Sequence, residues 1–211
     1  VYESGLGSSF RQVVAQIHNA EGARRWRSHP IHFDPDVQQV TIRAARVYRG
    51  EQQLESIRQF EQRLGEPWYR MYYDTRAKVI LFPDLEPGDV VELQYRIDDI
   101  AERNLFNDYY GDLHTFQRQV PVARSRYVLI SPSQRQFHFN APSHPSITHQ
   151  RRQENAQQIL EWEARDLPAI QSEPGMPGMT ELAPYLHIST YEDWESVGRW
   201  YWGLIHDQLQ A

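Results

Sequence analysis

Hydrophobic and polar residues alternate through most of this chain, most cleanly from Val90 to Asp98. Val91, Leu93, Tyr95 and Ile97 fall on one side, and Glu92, Gln94, Arg96 and Asp98 on the other. That period of two marks a strand with one buried and one wet face. Leu85-Glu86-Pro87-Gly88-Asp89 leads into it as a turn. Pro87 presets φ at the second position, and Gly88 supplies the positive φ that a type II turn needs at the third. Ala77–Phe82, just upstream, reads as another strand, and the pattern predicts a hairpin of the two at the centre of a β-rich domain.

Towards the N-terminus, Val1 to Asn19 reads as a hairpin turning at Ser4–Ser8, with Val13, Ala15 and Ile17 on one face of its second strand. His29–Phe33 is a short strand. Gln38–Tyr48 is a long one, with Val40, Ile42 and Ala44 facing one way and Thr41 and Arg43 the other. Gly50–Gly65 breaks the alternation and reads as a loop, whereas Pro67–Asp74 is aromatic and strand-like. After a polar loop at Ile100–Gly111, strands are predicted over Leu113–Val122, Arg124–Ile130, Gln136–Asn140, Ile147–Arg152 and Gln157–Trp162. About ten short strands with turns between them, and no helices alternating with them, predict a mainly β fold. The expected architecture is a two-sheet antiparallel β-sandwich with a short C-terminal helix, the sandwich occupying residues 1–166.

The pattern changes after that. Pro168, Pro174, Pro177 and Pro184 make residues 167–190 a proline-rich linker ending in a short strand, Leu186–Ser189. Trp194, Val197, Tyr201, Leu204 and Ile205 then recur at helical spacing, which predicts a helix within 191–211. Ser189 and Glu192 have the spacing of a capping box.

Composition narrows the function classes. The chain has 211 residues and a formal net charge of −6. Lys78 is its only lysine, and its arginine pairs, Arg24-Arg25 and Arg151-Arg152, are too short for the basic patch that nucleic-acid binding needs. There is no cysteine, so neither a disulfide nor a thiol nucleophile can exist within it. No apolar run is long enough to span a membrane. No signal peptide lies within these residues, and the abrupt start inside a predicted strand is what an excised segment would show.

The chemistry-bearing residues do not assemble into a known constellation. Histidines cluster loosely at His29/His32 and His138/His144/His149 without metal-ligand spacing, so no metal ligand or cofactor is assigned. Asp112-Leu113-His114 puts a carboxylate and an imidazole on one strand face, where the acid could orient a base. Asp98-Asp99 and Glu161/Glu163 are paired carboxylates, more simply read as a wet sheet face than as a glycosidase pair. There is no Gly-x-Ser-x-Gly elbow and no phosphate-cradling glycine loop. No catalytic residue is assigned. Aromatic residues are the best surface candidates: Trp68, Tyr69, Tyr72 and Tyr73 in one stretch, and Phe106, Tyr109 and Tyr110 in the next loop. Such groups bind sugars or peptides, or pack as ordinary strand residues.

Several stretches in order resemble a known family. They are Val1-Tyr2-Glu3 with Phe10-Arg11-Gln12-Val13-Val14, Glu21-Gly22-Ala23, and Asp34-Pro35 leading to Val40–Val47. Leu85–Glu92 follows, then Phe116-Gln117, Pro121–Arg126, Pro132, Glu173-Pro174 and Trp194. Together they resemble the domain of unknown function that stands N-terminal to transglutaminase-like domains in bacterial, often cell-envelope, proteins. The resemblance implies a β-sandwich followed by a papain-like fold with a Cys-His-Asp triad. The helix from Trp194 resembles the first helix of that following domain, and no triad residue can be carried over.

On that resemblance the expected role is a non-catalytic accessory sandwich in the periplasm or cell envelope. Its partner would be a transglutaminase-like domain of the same chain. The alternative is a module that binds cell-wall glycan or peptide through the aromatic surface; a weaker one is a histidine-based metal enzyme.

Overall fold

The computed structural model describes residues 1–54, 57–63, 75–104, 106–141 and 144–209, with side chains through residue 206. Strands dominate. In chain order the elements are β1 (Ser8–Gln16), α1 (Ala20–Trp26), β2 (Ser28–Phe33), β3 (Gln38–Arg49), β4 (Gln52–Leu54), β5 (Arg58–Arg63), β6 (Arg76–Leu81) and β7 (Val90–Asp99). They continue with β8 (Gly111–Thr115), β9 (Val122–Pro132), β10 (His138–Asn140), β11 (Ile147–Glu154), β12 (Gln157–Leu167), α2 (Met179–Leu182), β13 (Tyr185–Ser189) and α3 (Trp194–Leu209).

The mainly β, antiparallel expectation holds, but among the described residues the sheets number four rather than two. The chain divides into two compact units, Gly7–Glu102 and a second made of Val1–Leu6 with Arg103–Ala211. Within Gly7–Glu102 the sheets are β1-β7-β3-β4 and β2-β6-β5. Ile31, Phe33 and Ile80 from one sheet, with Phe82 just past its end, pack with Val40, Val47, Val91, Leu93 and Tyr95 from the other. The second unit stacks β10-β13-β8 and β11-β12-β9. Leu186 and Ile188 meet Leu129, Leu160, Trp162 and Ala164 in its core. Each core follows from strands that bury alternate residues, so each needs a second sheet to cover it.

The alternation in β7 is borne out, with Val91, Leu93 and Tyr95 buried. Its predicted partner is not. β7 lies between β1 and β3, while β6 lies between β2 and β5 in the other sheet. The turn before β7 therefore carries the chain from one sheet to the other instead of closing a hairpin. Glu86–Asp89 is still a turn, with Asp89 N–H donating to the Glu86 carbonyl at 3.1 Å and Gly88 at φ 100.

The N-terminal hairpin is also corrected. Val1–Glu3 do not pair with β1; the Val1 ammonium donates to the Ile130 carbonyl at 2.8 Å. The cause is the turn at Gly5, whose φ of +80 and close approach to the Asp108 and Tyr109 carbonyls leave no room for a Cβ. In β3, Val40 and Ile42 share the core-facing side as expected, opposite Ile97 and Tyr95, but a bulge lies between Ile42 and Ala44. One extra residue shifts the register, so Ala45 and Val47 stand opposite Leu93 and Val91, while Ala44, opposite Gln94, is buried as expected.

Gly50–Gly65 holds β4 and β5 where a loop was expected. All six residues of β5 are exposed, so burial imposed no alternation on its sequence. The strand expected at Pro67–Asp74 lies outside the described residues. α3 is capped by Asp193, not by Ser189: the Asp193 carboxylate accepts from Ser196 N–H at 2.8 Å. The Ser189 hydroxyl instead bonds the backbone of Tyr191.

Candidate functional site

The sequence pairs Asp112 with His114 on one face of β8, and the structure keeps both half-buried with Leu113 turned out. They face β9, whose Ser125 and Tyr127 lie two residues apart on its inner side. The His114 Nε2 is 3.2 Å from the Ser125 hydroxyl. The Tyr127 hydroxyl donates to Asp112 Oδ2 at 2.7 Å and lies 3.2 Å from the Tyr110 hydroxyl. The imidazole sits edge-on to Phe116 at 4.8 Å and tilted against Tyr127 at 5.2 Å.

A serine next to an imidazole is the start of a nucleophilic pair, which then needs a carboxylate on the base and donors for an oxyanion. Here the Asp112 carboxylate is engaged by a phenol. Burial pushes the Tyr127 phenol far up, and Tyr110 and Asp112 push it the same way, so it stays neutral and donates. The cluster stitches two sheets together through satisfied polar groups.

The paired carboxylates are held in the same manner. Glu161 takes Arg126 through two bonds of 2.6 and 2.7 Å, and Arg152 at 3.4 Å. Glu163 takes Arg124 at 2.9 and 2.5 Å and Arg165 at 2.6 Å. Arg126 holds the Glu161 carboxyl below the usual range, and Arg124 does the same for Glu163. A glycosidase general acid needs the opposite, a carboxyl raised towards neutrality. Asp99 accepts from Gly7 N–H at 2.9 Å, and Asp98 from the Arg96 guanidinium at 2.6 Å.

Of the aromatic surface, Trp68, Tyr69, Tyr72 and Tyr73 lie outside the described residues. Tyr109 stacks on Tyr191 at 4.7 Å, and Tyr110 meets Phe137 edge-on at 6.1 Å. Phe106 packs against Trp200 of α3 at 5.2 Å and remains 49 % exposed. Those three rings are thus partly consumed by packing, the bland alternative read from the sequence. The histidines also separate: His29 stacks on Trp26 at 5.5 Å and His149 on Trp162 at 4.5 Å. Among the described residues, no three His, Asp or Glu side chains converge as metal ligands.

The most buried charge among the described residues leaves no mark in the sequence pattern. Asp89, read only as a turn residue, is 1 % exposed. It accepts from Arg49 Nε at 2.8 Å, from Arg49 Nη2 at 2.9 Å and from Glu86 N–H at 2.8 Å. Arg49 also reaches Glu86 at 2.8 Å and the Asp84 carbonyl at 3.0 Å. The arginine holds the Asp89 carboxyl below the usual range despite the burial that opposes ionisation. A cation forty residues away in sequence leaves no local signal.

Comparison with known proteins identifies the family but no activity. The model of a domain of unknown function with a solved structure (DUF3857) matches residues 3–171. No curated protein matches the chain. Among solved structures, one from Parabacteroides distasonis described as a "putative protease" is similar in fold, with a TM-score of 0.81 and 16% identity. The match covers 93% of this chain and 39% of that one.

Proposed function

The chain belongs to the DUF3857 family, and on that premise we propose that it is a non-catalytic accessory β module, flanking a transglutaminase-like domain of the same chain in the bacterial cell envelope. Its work is structural or substrate-positioning, and bond-making falls to the flanking domain. One observation carries the reading: the polar groups best suited to chemistry are engaged by neighbours within the fold. Asp112 is engaged by Tyr127, Glu161 and Glu163 by four arginines, and Asp89 by Arg49. Carboxylates pinned low by arginine serve a framework better than they serve proton transfer. The share of the longer Parabacteroides chain that is matched, 39%, is compatible with a module inside a larger protein.

The test uses the longest natural chain that contains these residues. The 211 residues hold no cysteine, so a thiol-alkylating reagent cannot act on them through one. Turnover of peptide amides or isopeptides that alkylation abolishes supports the reading. Turnover that resists alkylation and persists in the 211 residues alone overturns it.

A further inference from the structure

Among the described residues β1 is an outermost strand of its sheet, paired on one side with β7 over all nine residues with no break in register. An edge strand presents unpaired N–H and C=O groups along its free side, and proteins usually blunt such edges by shortness, proline, bulges or several charges. The other edges among the described residues follow that rule. β4 and β10 have three residues each and β8 has five. β2 contains Pro30, β5 and β11 carry three charges each, and β9 carries two arginines and ends at Pro132. β1, Ser-Ser-Phe-Arg-Gln-Val-Val-Ala-Gln, has one charge and neither proline nor glycine.

Its exposed apolar side chains are arranged symmetrically. Phe10 is 57% exposed and Val14 is 62% exposed, on one face, with Gln12 midway between them. We propose that β1 is the pairing edge of a symmetric dimer, in which β1 of a second copy adds antiparallel about a two-fold axis at Gln12. That register sets Phe10 against Val14 of the second copy twice over, and Gln12 against Gln12, whose amides can bond each other. It sets Arg11 opposite Val13, so its charge does not meet its own copy. Moving the axis one residue towards the N-terminus puts Arg11 opposite Arg11. Moving it one residue the other way puts Phe10 opposite Gln16. The axis at Gln12 is therefore the choice of these three that matches apolar with apolar and separates like charges.

A single added strand pair is a small interface, so the dimer forms at high concentration and dissociates on dilution. Sedimentation velocity from about 1 µM to about 1 mM reads this exchange, and Val14→Lys, at an exposed position, shifts it to monomer. Cross-linking reads the register, because a chain without cysteine accepts a single reporter thiol. In the proposed register two Gln12→Cys sites lie directly opposite, within disulfide reach. Two Val14→Cys sites lie about 13 Å apart along the strands, beyond that reach. Oxidation yields covalent dimer for Gln12→Cys at least about ten-fold faster than for Val14→Cys. A monomer throughout the concentration range overturns the proposal, as does Val14→Cys cross-linking as fast as Gln12→Cys. Far-ultraviolet circular dichroism confirms that each variant is folded before it is scored.

Discussion

The Arg49 guanidinium grips the Asp89 carboxylate with two parallel bonds, of 2.8 and 2.9 Å, and through it secures the turn that brings the chain into β7. Ile17 N–H donates to the Asp89 carbonyl at 2.8 Å, and Gly88 N–H to the Ile17 carbonyl at 2.7 Å, so the turn is tied to the end of β1 as well. A buried carboxylate with this geometry costs the fold dearly when its partners are lost.

Asp89→Ala is accordingly expected to destabilise the fold by about 3 kcal/mol in urea unfolding. The pH dependence has a definite sign. Because the native Asp89 carboxyl lies below its unfolded value, its contribution is present above the ordinary carboxylate range and is lost as pH falls through the native value. Unfolding curves followed downward from about pH 5 should show a steep acid limb that Asp89→Asn flattens. An acid limb identical in wild type and variant contradicts this role.

Tyr127 gives the opposite limb. Its native phenol is raised by burial, so its contribution is complete below the unfolded value and is lost as pH climbs through the alkaline range above about 10. Tyr127→Phe leaves Asp112 without that donor and is expected to cost about 1 kcal/mol at neutral pH. The same change softens alkaline unfolding. Urea unfolding at neutral pH reads the first effect, and phenolate absorbance against pH, in wild type and Tyr127→Phe, reads the second.

The β11–β12 hairpin turns through Asn155 at φ 50 and Ala156 at φ 62, both left-handed. Asparagine tolerates that region; alanine does so at a cost of about 1 kcal/mol. Ala156→Gly removes this strain, and a rise in thermal midpoint is the expected outcome. An unchanged or lower midpoint counts against the strained turn.

What could be read from the sequence was what burial writes locally. Val91, Leu93 and Tyr95, and Val13, Ala15 and Ile17, alternate because one face of each strand meets a core, and β13 announces itself likewise. What could not be read was pairing. Residues 83–89 look like the loop of a hairpin, yet β6 and β7 enter different sheets, because the choice of neighbour rests on surfaces distant in sequence. The bulge at Arg43 shifts the register of β3 without a Gly or Pro to mark it. β5, exposed along its length, never acquired a pattern. The candidate site divides the same way. Asp112 and His114 could be placed on one face, but Tyr127 as the partner of Asp112, and Arg49 as the partner of Asp89, are products of the tertiary fold.

The central claim, that this module does no chemistry of its own, is tested most directly by turnover with the purified 211-residue chain in excess over peptide-amide, isopeptide and glycan substrates. The account predicts no product above the buffer control, for the wild type and for His114→Ala alike. Product that forms with the wild-type chain and disappears in His114→Ala, or in the Glu161→Gln, Glu163→Gln double variant, with the fold intact, would contradict it.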